Sequence, residues 1–222
     1  MPMVAITPLL TLVSLVRDNP LVHDPAMFTD DANWTGGFYE LALEVGDASD
    51  ERLQLALSAL WRAAGIEGCY RFLDREPGEQ DEIACTVASL TESGHLRGTV
   101  RLPSGHRIVC GCVAFRGDGD PDWLDFYLPL EALCRVDQRI GGFPFDQDSG
   151  RESLAWRRPL DDWLAVIGTD IFHDVGFRLG LIGFEIAGDT QALPLDGAAP
   201  EQRWAGYLLP AGGTLRYEPA NR

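Results

Sequence analysis

Apolar and polar residues along this chain follow two different periods, and each period predicts one kind of element. Residues 38–45 alternate between apolar and polar positions, with Glu40 and Glu44 on one face. This alternation predicts a half-buried β-strand. In residues 50–64 the leucines recur at three- and four-residue spacing after Ser49 and Asp47, either of which could be the N-cap, and the repeat stops at Gly65. That pattern predicts a helix whose apolar stripe docks on the sheet.

The middle of the chain is predicted to consist mainly of short strands. We expect them at residues 66–72, 82–90, 95–102, 107–115 and 123–128. The turn-forming tripeptide Pro103-Ser104-Gly105 should join two of these strands in a hairpin, and the polar residues 74–81 should form an exposed loop. Residues 129–136 are expected to form a short helix, and residues 137–153 an irregular loop.

The C-terminal third predicts a second main helix, a central strand and a terminal hairpin. The helix is expected to begin near Pro159, whose fixed φ suits a first helical position, with Asp161 and Asp162 in the first turn. The nearly continuous apolar run 177–186 predicts a strand buried on both faces. Residues 204–209 and 214–218 are expected to form the hairpin.

This order of elements predicts an α+β fold. The expected architecture is a mainly antiparallel sheet, made of a meander and the terminal hairpin, with two main helices packed on one face. An expanded split βαβ arrangement is compatible with the same order. Because 222 residues can bury one substantial core, we expect residues 1–222 to form a single domain.

The N-terminal residues and the cysteines indicate the compartment. The apolar residues 1–16 lack a basic leader and are shorter than the roughly 20 residues that a bilayer requires, so we expect a buried strand. Five cysteines, an odd and scattered number, fit reduced thiols better than a disulfide framework. We therefore expect a cytoplasmic protein without a membrane association.

The charge balance is the strongest indication of a partner. A formal charge of −16 repels nucleic-acid phosphates and anionic membranes and attracts basic proteins. The chain contains no lysine, which excludes a Walker-type phosphate loop and a pyridoxal Schiff base. Adaptation to high salt is an alternative cause of the acidity.

Two groups of residues have the chemistry of metal ligands but not the spacing. His106, Cys110 and Cys112 match no usual zinc site, and two buried thiols explain the cysteines. The alternating Asp118, Asp120 and Asp122 resemble the opening of a calcium loop. However, Trp123 and Pro129 occupy the positions where such a loop needs Gly and Glu, so a solvated turn is expected. We predict neither a metal nor a cofactor.

Catalytic residues are not identified by any motif. Glu185 lies in an apolar run, so we expect it to pair with Arg178, Arg157 or Arg158, with a catalytic acid as the alternative. Glu40 and Glu44 could form a carboxylate pair, or they could lie on a wet outer face. The four histidines are isolated in the sequence, and no nucleophile elbow or dinucleotide-binding turn is present. The sequence thus favours a non-enzymatic protein and leaves an enzyme open.

Three hypotheses for the function follow, and all leave the oligomeric state open. The first is an acidic protein that captures a basic partner protein, as an inhibitor or immunity protein does. Its predicted contacts are aromatic residues and carboxylates of exposed loops: Trp34, Phe38, Asp118, Asp120, Asp122, Phe143, Phe145, Asp146 and Asp148. The second is a small-molecule-binding protein or enzyme with a pocket between sheet and helices, lined by Trp34, Phe38, Trp163 and Glu185. The third is a structural subunit of a larger assembly.

Overall fold

The fold is α+β, as the sequence predicts, and is built around one eight-stranded sheet. The computed structural model describes residues 23–117, 119–140 and 150–222. The strands are β1 (Phe38–Gly46), β2 (Glu67–Tyr70), β3 (Leu96–Arg101), β4 (Arg107–Phe115), β5 (Asp122–Pro129), β6 (Leu179–Phe184), β7 (Gly206–Ala211) and β8 (Thr214–Glu218). The helices are α1 (Asp50–Ala64), α2 (Val87–Ser93), α3 (Leu130–Val136), α4 (Gly150–Val175) and α5 (Ala192–Leu195). All neighbouring strands are antiparallel, in the order β2-β3-β4-β5-β1-β6-β7-β8.

Two split βαβ crossovers organise this sheet. Strands β1 and β2 run parallel with β5, β4 and β3 between them, and α1 connects them. Strands β5 and β6 run parallel on either side of β1, connected through α3 and α4. Helices α1 and α4 pack against each other and against the sheet. The expected expanded split βαβ arrangement is therefore confirmed, with β1 at the centre of the sheet.

Helix α1 lies where the sequence predicts it because its boundaries are encoded locally. The Ser49 hydroxyl accepts a hydrogen bond from the backbone N–H of Arg52 at 3.3 Å, which caps the first turn. Gly65 ends the helix with a φ of 64°, a conformation that glycine adopts without strain. The buried stripe, which includes Leu53 and Leu57, joins the same core as Leu41 of β1.

A second, smaller apolar cluster covers the opposite face of the sheet. Ala42, Leu179 and Leu181 contact residues of the connection between β6 and β7. We call residues 185–205 the back-face segment, and the sheet face beneath it the back face. Because β6 is covered by α4 on one side and by this segment on the other, its sequence is apolar throughout, as predicted for a central strand.

Two elements differ from the sequence prediction. Residues 82–86 are not a strand, and α2 begins after Thr86, whose hydroxyl accepts from the N–H of Ser89 at 3.1 Å. The local N-cap therefore outweighs the strand pattern. Helix α4 begins at Gly150 rather than near Pro159, which lies inside the helix. Burial of Trp156 and Arg157 before the proline offsets its interior cost, which is typically about 3 kcal/mol.

Within the described ranges, every helix is too short or too polar to cross a bilayer. The strand expected in residues 1–16 lies outside the described residues, as does most of the loop expected at 137–153.

Candidate functional site

Trp34 and Phe38, two of the aromatic residues predicted as partner contacts, make contacts within the chain. The Trp34 indole N–H donates to the carbonyl of Phe28 at 2.9 Å, and the two rings meet edge to face with centroids 5.4 Å apart. Phe38 packs on Tyr127 on the back face, with ring centroids 4.5 Å apart. Both side chains are partly buried, so neither forms an exposed aromatic rim.

Of the acidic residues predicted as partner contacts, Asp122 is buried, Asp120 is exposed and the others lie outside the described residues. Asp122 is buried in β5, where Arg116 donates to its oxygens at 2.9 and 3.0 Å and the N–H of Ser49 donates at 3.1 Å. It therefore does not belong to an exposed acidic surface. Asp120 is exposed in the preceding turn. The remaining predicted contacts, outside the described residues, are Asp118, Phe143, Phe145, Asp146 and Asp148.

The predicted pocket between sheet and helices is not assembled. Trp163 packs against Phe126 on the helix-covered face, with ring centroids 6.4 Å apart. Phe38 lies on the back face, on the other side of the sheet. Glu185 follows the end of β6 at the edge of that face. Leucine, isoleucine and aromatic side chains fill the layer between the sheet and α1 and α4. These predicted lining residues therefore do not share a cavity.

Glu185 also lacks the predicted arginine partner among the described residues. Arg178 pairs with Asp47 at 2.8 Å, and Arg157 donates to the carbonyls of Trp204 and Arg222. Arg158 donates to the carbonyl of Ala220. The Glu185 side chain is exposed instead, because a φ of 44° turns the chain outward directly after β6.

The cysteine and histidine candidates do not converge. Cys110 and Cys112 are buried free thiols, and burial raises the pKa of both. His106 is exposed and hydrogen-bonds to Ser104 at 3.1 Å. In the part of the chain that the structure describes, no group of three His, Cys, Asp or Glu residues could hold a metal ion.

Two loops remote in sequence form a continuous surface at the β2 end of the molecule. We call residues 23–31 and 71–83 together the acidic loop surface. Glu76 joins its two parts, because its carboxylate accepts from the N–H of Thr29 at 2.8 Å and from the Thr29 hydroxyl at 2.6 Å. Burial raises the pKa of Glu76, but the Thr29 and Phe28 hydrogen bonds outweigh it, so the pKa is lowered. Glu76 therefore holds the loops together as a carboxylate.

The second loop is also fixed internally. The Gln80 side chain accepts from the N–H of Phe72 and donates to the carbonyls of Phe72 and Arg75, at distances of 2.8–3.1 Å. Glu79 accepts from the N–H of Glu76 in a capping box. These contacts fix the backbone of a loop that has little regular structure.

The acidic loop surface combines unpaired carboxylates with exposed apolar side chains. Its exposed acids that make no ion pair within the described residues are Asp24, Asp31, Asp74, Glu79, Asp81 and Glu82. Met27 is 41% exposed and Phe72 is 42% exposed. Arg75 lies over the Phe72 ring, with its guanidinium carbon 4.7 Å from the centroid. A cleft of about 600 Å³ opens between Phe72 and Asp81.

Arg71 and Arg75 lie on this surface and line its cleft, whereas most of the other arginines serve contacts elsewhere in the chain. Several pair with carboxylates: Arg62, Arg71, Arg107, Arg116, Arg135, Arg139, Arg178, Arg203 and Arg216. Others donate to backbone carbonyls: Arg52, Arg97, Arg101, Arg157 and Arg158. Within the described residues most acids that make no ion pair are exposed, with Glu40, Glu44, Asp125 and Asp161 as buried exceptions.

A second acidic group lies under the back-face segment. Glu40 is buried and accepts from the backbone N–H groups of Ile186 at 2.9 Å and Ala187 at 3.2 Å. Asp125 of β5 is also buried, and its Oδ1 has no hydrogen-bond partner among the described residues. Glu44 is buried as well and accepts from the N–H of Ala192 at 2.6 Å. The alternative that Glu40 and Glu44 lie on a wet outer face is therefore wrong, because the back-face segment covers them.

Compared with known protein families, with curated proteins and with solved structures, the chain shows no significant match. Its charge, burial and contacts are therefore the basis for a functional proposal.

Proposed function

We propose that this chain is a non-enzymatic binding protein whose acidic loop surface captures a basic partner protein. It would act as an inhibitor or immunity protein does, by covering a basic surface such as one that binds nucleic acid. The observation that carries this proposal is an ordered surface that combines exposed acids without ion pairs with exposed Phe72 and Met27. Charges of one sign steer the encounter, and buried apolar anchors supply most of the affinity.

The electrostatics of the whole chain support capture of a cation. With a charge of −16 and most arginines engaged internally, the field around the protein attracts positive partners over a distance of about 8–10 Å at physiological salt. This field raises the rate of association with basic proteins and repels nucleic acid itself.

The order within the loops supports affinity as well as attraction. Because Glu76 and Gln80 already fix the backbone of residues 71–83, binding would cost less conformational entropy than binding by a mobile loop. Phe72 is held against Arg75 and is available as an aromatic anchor.

The two other hypotheses have less support. The residues expected to line a pocket lie on opposite faces of the sheet. An assembly subunit would need a large contiguous apolar patch. The exposed large apolar side chains in the described residues belong to separate elements, as Leu55 of α1, Phe115 of β4 and Val166 of α4 illustrate.

Affinity capture with two charge-matched variants tests the proposal. The loop variant is Asp74→Asn/Glu79→Gln/Asp81→Asn, and the control, Glu51→Gln/Asp170→Asn/Glu201→Gln, removes the same charge from other exposed positions. We expect the wild type and the control to retain a basic protein from native cell extract at low salt and to release it at high salt. The loop variant should retain far less.

Two results would count against the proposal. If the loop variant retained the same protein as strongly as the control, the acidic loop surface would not be the contact. If no basic protein bound to the wild type and its stability fell at low salt, adaptation to high salt would explain the acidity better.

A further inference from the structure

A cleft of about 550 Å³ opens between β7 and the back-face segment. Its lining includes Glu44 of β1, Leu209 of β7, and Leu193 and Asp196 of the segment. It lies towards the β8 edge of the sheet, whereas the acidic loop surface lies at the β2 end. The cleft is therefore separate from the surface proposed to capture a basic protein.

The Glu44 carboxylate at this cleft is only partly used by the chain itself. Its Oε2 accepts from the backbone N–H of Ala192 at 2.6 Å. Its Oε1 accepts no hydrogen bond within the described residues and stays open to the cleft that Glu44 lines. Because the side chain is only 3% exposed, bulk water does not compensate fully for the missing donor. A donor that enters the cleft would complete the hydrogen bonding of Glu44.

The charges along the cleft favour a positively charged donor. Asp196 is exposed on the lining and makes no ion pair in the part of the chain that the structure describes. Arg178 also lines the cleft, but its guanidinium pairs with Asp47 at 2.8 Å rather than with Glu44. Two carboxylates without an internal cation therefore line one cleft, and their field attracts a cation.

Apolar side chains form much of the remaining wall. Leu193 is 88% exposed, the largest value among the exposed large apolar side chains of the described ranges, and Leu209 is buried beside it on β7. A ligand with an aliphatic stem would remove the Leu193 surface from water. The segment is held to the sheet here, because Arg216 of β8 donates to the carbonyl of Gly197 at 2.9 Å. The wall is therefore formed before a ligand arrives.

We propose that this cleft binds an ammonium group carried on an aliphatic stem, with the ammonium donating to Oε1 of Glu44 and the stem packing on Leu193 and Leu209. A primary ammonium has three donors, so it can bond Glu44 and still keep solvent contacts. A free alkylamine and a lysine side chain share this chemistry. The site goes beyond the capture of a basic protein by the acidic loop surface and does not depend on it.

An NMR titration of the backbone amides with pentylamine tests the site. We expect saturable shifts at Ala192 and Leu193, which flank the Glu44 contact. Pentanol has the same stem but no charge, so it should bind at least about tenfold more weakly. Equal binding of pentanol, or the absence of saturable shifts with pentylamine, would overturn the site.

Two charge-matched variants locate the binding at Glu44. Glu44→Gln keeps the size of the side chain and an oxygen that accepts from Ala192, but it removes the charge. Affinity for pentylamine should fall at least about tenfold in this variant. Glu201→Gln removes the same charge from an exposed position of the back-face segment and should leave the affinity unchanged. An unchanged affinity in Glu44→Gln, or an equal fall in both variants, would overturn the site.

An exposed variant and a second ligand complete the test. Leu193→Ala changes a side chain that is mostly in solvent, so it should fold normally and bind pentylamine several-fold more weakly. Nα-acetyl-lysine N-methylamide represents a lysine side chain within a protein. Tighter binding of this compound than of pentylamine, again dependent on Glu44, supports the site and identifies lysine as the source. Tighter binding of pentylamine supports it with a free amine as the source, and binding of neither would overturn it.

Discussion

Glu76 accepts hydrogen bonds from both the backbone N–H and the hydroxyl of Thr29, a residue 47 positions earlier in the chain. The same carboxylate also accepts from the N–H of Phe28 at 3.3 Å. Two loops that belong to different connections are thereby joined into one surface. Glu76 therefore links the two parts of the acidic loop surface, while neighbouring carboxylates such as Asp74 and Glu79 remain exposed.

Replacing Glu76 should loosen this surface. In Glu76→Ala, three hydrogen bonds are lost, and we expect the free energy of unfolding to fall by about 1–3 kcal/mol. Exchange of the Phe28 and Thr29 amides should become faster. Asp81→Ala, which removes an exposed acid of the same loop, should change stability by no more than about 0.5 kcal/mol. Equal effects of the two variants in urea unfolding would show that Glu76 does not brace the loops.

The buried Asp122 should make Arg116 more important than the other surface arginines. Arg116 is about one-third exposed, with 34% of its side chain accessible, while Asp122 is buried. Arg116→Ala leaves a buried carboxylate without its cation, and we expect a loss of roughly 2–3 kcal/mol after allowing for that exposure. Arg139→Ala breaks a pair whose arginine is mostly exposed and should cost clearly less than Arg116→Ala. Chemical denaturation measures both, and similar losses would contradict the assignment.

The buried Asp161, which accepts a hydrogen bond from the Tyr39 hydroxyl, should make stability depend on pH. Burial raises the pKa of Asp161 from 3.8 to about 6, although the Tyr39 hydroxyl counteracts this shift. The stability gained from the protonated Asp161 is therefore full below a pH of about 4 and is lost as the pH rises through about 6. Tyr39→Phe removes a donor to the charged form, so it should cost about 1–3 kcal/mol and more at pH 8 than at pH 5. Equal losses at the two pH values would contradict this role of the hydroxyl.

The exposed Phe72 should contribute to binding rather than to folding. Phe72→Ala removes an aromatic anchor within the acidic loop surface, and we expect partner affinity to fall at least about tenfold with little change in stability. Phe115→Ala removes a similarly exposed ring from the end of β4 and serves as the control. Isothermal titration with the captured partner measures both variants, and equal affinities would exclude Phe72 as an anchor.

Elements with local boundaries were predictable from the sequence. Ser49 and Gly65 delimit α1, and the apolar run of residues 177–186 identifies β6 as a central strand. Pro159 was misleading, because the packing of Trp156 and Arg157 against the rest of the fold decides where α4 begins. Local sequence contains no information about that packing.

The functional surfaces were less predictable because they depend on long-range contacts. Glu40 receives its hydrogen bonds from residues 146 and 147 positions away, so its alternation with apolar neighbours could not distinguish burial from exposure. The acids of residues 74–82 were visible as a polar loop, but their joining to residues 23–31 through Glu76 was not. The alternating aspartates predicted an exposed turn at Asp122. The local sequence pattern does not indicate that Asp122 is buried in an ion pair with Arg116.

Hydrogen exchange of the chain with and without its captured basic partner tests the proposed function most directly. We expect the partner to slow exchange in residues 23–31 and 71–83, with Phe72 near the centre of the protected region. Exposed faces of α1 and α4 should be unaffected. Protection confined to those helices, or no protection of the loops at saturating partner, would contradict capture by the acidic loop surface.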